Sequence, residues 1–152
     1  MIQLYNSLSG QKEAFEPLDK DAVGMYTCGP TVYDHLTIGN WRTYTLGDIV
    51  RRTLEYNGYS VNYVMNITDV GHLTGDNEGD ASSGQDRLEK AASRENLTAW
   101  DIAEKYTQEF LEGFKELNIE KPQTLPRATE HIQEQIDLIQ EIENQGFTYK
   151  TS

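Results

Sequence analysis

Cys28-Gly29-Pro30-Thr31-Val32-Tyr33-Asp34-His35-Leu36-Thr37-Ile38-Gly39-Asn40-Trp41-Arg42 lies between two patterns of different period. Ahead of it, Val23–Thr27 reads as a short strand. Behind it, Trp41, Tyr44, Ile49, Val50 and Leu54 mark the apolar positions of a helix from about Ile38 to Asn57, with Gly58 just past its end. Tyr59 to Ile67, with Val61, Tyr63, Val64 and Met65, reads as a buried strand. Strand, helix and strand form one βαβ unit, so the two strands should run parallel. The quoted stretch then falls where a strand ends and a helix begins, the edge at which parallel α/β sheets bind ligands. The unpaired N–H groups of a helix start suit a phosphate. Gly39 lets a flat ligand approach the backbone, and Cys28 offers a thiolate to the same crevice.

Working outward, Ile2–Tyr5 reads as a strand and Ser7–Asp21 as a polar loop. Asp69–Gln85 holds Gly71, Gly75, Gly79 and Gly84 among acidic residues and reads as a long mobile loop. Its acidic spacing does not match a calcium loop. A short helix should cover about Asp86–Glu95. Thr98 should cap another that runs to Leu117, with Trp100, Ala103, Tyr106, Phe110, Phe114 and Leu117 as its core face. Thr129 is placed to cap a last helix with Ile132, Ile136, Ile139 and Ile142 inward and Gly146 at its end. Phe147–Thr151 resembles a strand just begun, which suggests a longer protein. The chain thus divides into residues 1–70 (a βαβ half with an N-terminal strand), 71–85 (a glycine- and acid-rich loop) and 86–152 (a helical segment leading back to the sheet).

The 152 residues suffice for one domain with a core. The net charge is −12, and residues 71–152 hold 17 acidic against 8 basic side chains. That balance argues against a general nucleic-acid surface. No apolar run is long enough to cross a bilayer and no signal peptide is evident, so a cytoplasmic address with no membrane partner is expected. The single cysteine excludes an intrachain disulfide, and its plain reading is a buried small hydrophobe.

Met25-Tyr26-Thr27-Cys28-Gly29-Pro30-Thr31-Val32-Tyr33-Asp34 resembles the start of the cysteinyl-tRNA synthetase family. So do Leu4-Tyr5-Asn6-Ser7-Leu8, Asn66-Ile67-Thr68-Asp69 and Pro126-Arg127-Ala128-Thr129, in the same order along the chain. The resemblance implies an α/β fold of class I synthetase, HUP-like Rossmann type: a parallel sheet with a helical insertion, here its N-terminal half only. It implies ATP-dependent activation of cysteine and transfer of the cysteinyl group to tRNA(Cys). Magnesium would accompany ATP. Cys28 aligns with a family ligand of Zn2+, a metal that a thiolate satisfies far better than a hydroxyl does. The other zinc ligands would lie farther along. Cys28, Gly29 and Thr68 align with the cysteine site, and Pro30, Thr31, Thr37, Ile38, Gly39 and Asn40 with the ATP-binding signature.

That signature is His-Ile-Gly-His in the family, and Thr37-Ile38-Gly39-Asn40 stands here. Thr37 and Asn40 therefore take the two catalytic positions. Both donate hydrogen bonds, but neither carries positive charge. His35 offers an imidazole two residues earlier, although a solvated loop histidine is the plainer reading. Arg42 is placed to pair with Asp34 or a phosphate. Two other functions compete: a related ligase joining cysteine to an amino-sugar, and a non-catalytic synthetase-like binding module, which the altered signature would suit.

Overall fold

Two strand pairs organise the protein, seen in a computed structural model that describes residues 2–19, 21–71 and 86–151. Gln3–Asn6 (β1) and Gln11–Ala14 (β2) form an antiparallel hairpin. Its turn closes with the Gly10 N–H donating to the Asn6 carbonyl at 2.8 Å. The sequence reads residues 7–21 as loop, and β2 corrects that. Gln-Lys-Glu-Ala has no alternation of apolar and polar residues because both its faces are exposed.

The central pair is Val23–Thr27 (β3) and Val61–Met65 (β4), parallel as expected, with Val23 opposite Val61 and Thr27 opposite Met65. Ile38–Tyr56 (α1) connects them. The pairing continues past both strands through a parallel bridge between Thr31 and Thr68. On the other side of β4, Thr124 and Arg127 bridge Val64 and Ile67. Just ahead of these contacts Gln123 stands in for backbone: its Oε1 accepts from the Tyr63 N–H and its Nε2 donates to the Val61 carbonyl, both at 2.9 Å.

Arg87–Glu95 (α2) is capped by Asp86, and Ala99–Glu116 (α3) by a reciprocal Thr98–Asp101 box. Helix α3 lies on α1 through an aromatic cluster. Phe110 stands 4.5 Å from Phe114, 5.2 Å from Tyr44 and 6.0 Å from Trp41, ring centre to ring centre. Such pairs add about 0.5–1.5 kcal/mol each beyond area burial. Gly113 permits the approach: a Cβ there would meet the Trp41 ring at 2.2 Å. Asp48 ties the end of this layer, accepting from Arg52 Nε at 2.7 Å and from the Glu120 N–H at 3.0 Å.

Four expectations about the helices fail. The buried stripe of α3 runs through Ile102, Ala103, Tyr106, Phe110 and Phe114, while Trp100 and Leu117 are exposed. Helical side chains lean toward the N-terminus, so Trp100 in the first turn overhangs the helix start, and Leu117 already lies past the last turn. Ile49 of α1 is likewise exposed. Thr129 does not cap the last helix. It lies in a 3-10 turn, Ala128–His131, and the helix Ile132–Asn144 (α4) begins at His131 with no side-chain cap. Ile132, Ile136, Ile139 and Ile142 are exposed because no described element covers that face. Residues 147–150 form no strand, and none of the described strands runs beside them. The segment 71–85, apart from Gly71, falls outside the described residues.

Candidate active site

Where β3 ends, the backbone turns so tightly against the end of β4 that only glycine fits. A Cβ on Gly29 would sit 1.7 Å from the Asn66 carbonyl oxygen. The Asn66 side chain then clamps the junction. Its Oδ1 accepts from the Gly29 N–H at 3.0 Å and from the Tyr26 hydroxyl at 2.8 Å, and its Nδ2 donates to Thr68 Oγ1 at 3.1 Å. Backbone bonds close the seam: the Thr68 N–H donates to the Pro30 carbonyl at 2.9 Å, and the Val32 N–H to the Thr68 carbonyl at 3.1 Å. Cys28, Gly29, Pro30, Thr31 and Thr68 therefore share one edge of the sheet. Cys28 is exposed there, which corrects its plain reading as a buried hydrophobe.

A cleft of about 240 Å³ opens beside this edge, lined by Gly29, Pro30, Thr31, His35, Thr37 and Asn40 among others. Thr37 is the N-cap of α1, and with Asn40 it makes a capping box. The Thr37 N–H and Oγ1 donate to Asn40 Oδ1 at 2.9 and 2.7 Å, and the Asn40 N–H reaches Thr37 Oγ1 at 3.4 Å. The two residues at the altered signature positions thus spend most of their hydrogen-bonding capacity on each other. What remains for a ligand is the Asn40 Nδ2 and the N–H groups of Ile38 and Gly39, which a helix start leaves without intrahelical partners. Gly39 is exposed, and a Cβ added to it would meet only Thr37 Oγ1, at an ordinary 3.5 Å. Packing does not demand that glycine.

Tyr44 lines the same cleft. Burial, and then the neighbouring Cys28, push its phenol up to about 12, so it stays a neutral donor. Burial and Cys28 also raise Tyr26. Asp34 does not pair with Arg42. It takes Arg94 of α2, at 3.0 and 3.3 Å, and that guanidinium holds its carboxyl below the usual range. His35 is held by Glu109 of α3. Sequence reading missed Asn66, Tyr44 and Glu109 as site residues. Asn66 had a signal, since it opens the Asn-Ile-Thr-Asp motif. Tyr44 was hidden in a helical apolar pattern, and nothing local marks Glu109.

On the far side of the seam, buried Asp69 accepts from the Thr129 N–H at 3.1 Å and its hydroxyl at 2.5 Å. Burial raises this carboxyl, but its hydrogen bonds outweigh burial and leave it below its ordinary value. A zinc ion would find one soft ligand in Cys28. Among the described residues no group of three or more His, Cys, Asp or Glu side chains completes a site around it or elsewhere. The residues present do not fit a tetrahedral zinc on their own.

The family described as tRNA synthetases class I (C) catalytic domain matches residues 14–152. A cysteine–tRNA ligase of Burkholderia lata is 47% identical over 150 residues, covering 99% of this chain and 31% of that protein. Those of Treponema denticola and Zymomonas mobilis are 48% and 45% identical, over 97% and 98% of this chain and 29% and 28% of theirs. The chain therefore spans less than a third of the length of these relatives.

Proposed function

The chain belongs to the class I (C) tRNA synthetase catalytic-domain family, and from that premise we propose that it forms the N-terminal, substrate-facing part of a cytoplasmic cysteinyl-tRNA synthetase. The observation that carries this reading is the seam itself: Cys28, Gly29 and Thr68 stand at one sheet edge beside the open start of α1. In the proposed reaction a cysteine carboxylate oxygen attacks the α-phosphorus of ATP. The bond to the leaving oxygen breaks, and pyrophosphate departs with the electron pair. A ribose hydroxyl at the 3′ end of tRNA(Cys) then attacks the cysteinyl carbonyl carbon. The ester bond forms, the acyl–phosphate bond breaks, AMP leaves with the electron pair and the hydroxyl proton is released. The surfaces that bind the tRNA would belong largely to the rest of the protein.

Each residue takes a part in that proposal. Gly29 and Thr68 shape the cysteine pocket, Thr68 keeping its hydroxyl oriented by Asn66. Pro30 and Thr31 form the turn beneath the nucleotide. Ile38 and Gly39 present backbone N–H groups, and Asn40 an amide, to the phosphates. Thr37 acts by holding Asn40 in place rather than by touching ATP. Cys28 contributes one thiolate toward a zinc whose other ligands would come from the remainder of the protein, and magnesium arrives with ATP.

Cysteine-dependent ATP–pyrophosphate exchange tests this, run side by side on the full-length protein and on the 152 residues alone. The full-length protein should exchange. The isolated chain should be slower by more than about 10³, since the loss of even one preorganised donor costs about 10²–10³. Comparable turnover in both, or none in the full-length protein, overturns the reading.

A further inference from the structure

Among the described residues that line the cleft none is a lysine or arginine, and Thr37 and Asn40 carry no charge, but His35 stands beside them. We propose that His35, positioned by Glu109, is the cationic hydrogen-bond donor to the ATP phosphates, in place of an imidazole at position 37 or 40. This rests on the adenylate-forming reading above.

His35 lines the same cleft as Thr37 and Asn40. It is exposed but not loose. Its Nδ1 lies 2.8 and 2.9 Å from the two Glu109 carboxylate oxygens. Its ring meets the Tyr106 ring edge-on, with centres 5.2 Å apart. Its backbone N–H donates to Asp34 Oδ1 at 2.8 Å. Three contacts, two of them from α3, thus fix a residue in the loop before α1. Among the described residues the Nε2 has no partner, so one ring nitrogen is committed and the other remains for a ligand.

Charge decides what that nitrogen does. Asp34 is answered by Arg94, whereas Glu109 faces His35. If the ring were neutral, its Nδ1–H would donate to Glu109 and its Nε2 would only accept, which repels a phosphate oxygen. In the imidazolium form both nitrogens donate, the Glu109 charge is cancelled, and Nε2–H offers a charge-assisted bond. No proton is transferred in this role. The donor stabilises a non-bridging oxygen as charge gathers there, while the carboxylate attacks and pyrophosphate leaves. Glu109 acts through His35 and is a positioning residue.

The test uses exchange kinetics of the full-length protein. His35→Gln should lower kcat by about 10²–10³ while the KM for cysteine stays within about threefold, as expected when only transition-state stabilisation is lost. Glu109→Gln keeps an acceptor for Nδ1 and removes the charge, so kcat should fall about five- to tenfold. The double variant should be no slower than His35→Gln alone, because Glu109 has no route to the phosphates except the ring. If His35→Gln does not fold, Glu109→Gln carries the test by itself. A kcat within threefold of wild type for His35→Gln, losses that multiply in the double variant, an effect confined to the cysteine KM, or an unchanged kcat for Glu109→Gln each overturns the proposal. If the wild-type protein shows no exchange, the adenylate-forming reading itself fails. If wild type and His35→Gln exchange alike, that reading stands and only the role of His35 falls.

Discussion

Helices α3 and α4 carry apolar residues at the same spacing and meet opposite fates. Along α3, Ile102, Tyr106, Phe110 and Phe114 are buried against α1 and α2, and a capping box closes its first turn. Along α4, Ile132, Ile136, Ile139 and Ile142 repeat every three or four residues and none is buried. Its start has no side-chain cap and depends on a 3-10 turn anchored to Asp69. Periodicity therefore identifies a face but says nothing of what covers it. Cover is a long-range fact, and on α3 it is supplied by Trp41 and Tyr44, more than sixty residues upstream.

The contrast can be broken at its strongest point by Phe110→Ala. Phe110 is fully buried at the centre of the aromatic cluster. Chemical denaturation should show a loss of about 3–5 kcal/mol. A loss below 1 kcal/mol would mean that α3 is no better seated than α4.

A smaller effect belongs to the anchor between them. Asp69→Ala strands the Thr129 N–H and hydroxyl and should cost about 1–3 kcal/mol at neutral pH. Because the folded-state carboxyl lies below its ordinary 3.8, its contribution is fully present above that value and drains away as pH falls through the lower folded value. Melting curves of wild type and variant should therefore converge in acid. A gap of constant size down to pH 2 would show that the Asp69 charge contributes nothing.

The smallest effect is expected on α4. Ile136→Gln with Ile139→Gln in the 152-residue chain should shift stability by no more than about 0.5 kcal/mol per site, the usual range for exposed positions. A loss as large as that of Phe110→Ala would mean that something in the chain does bury this face, and the comparison would collapse.

The sequence told some of these things and withheld others for physical reasons. The parallel β3–α1–β4 unit was legible because its signals are local: apolar positions at helical spacing from Trp41 to Leu54, Gly58 after the helix, β-branched and aromatic residues in the strand beyond. The edge shared by Cys28 and Thr68 followed from that topology. The capping box between Thr37 and Asn40 was equally local, yet the family resemblance drew both residues toward a ligand and away from each other. Glu109 was illegible, since an exposed glutamate on a helix acquires meaning only when a loop 74 residues earlier in sequence brings His35 to it. Hairpin strand β2 was missed for the opposite reason: with both faces wet, it had no pattern to show.

Gln123 carries a consequence for how the sheet ends. One amide side chain supplies the donor and the acceptor that a neighbouring strand would otherwise offer to Tyr63 and Val61. Solvent protection of the Tyr63 amide proton is therefore governed by side-chain torsions, not by a backbone ladder. It can be gained or lost by rotamer change on a timescale far shorter than strand separation. The border of the sheet at this point is a hinged latch, and isotope exchange at a single amide reads whether the latch is shut.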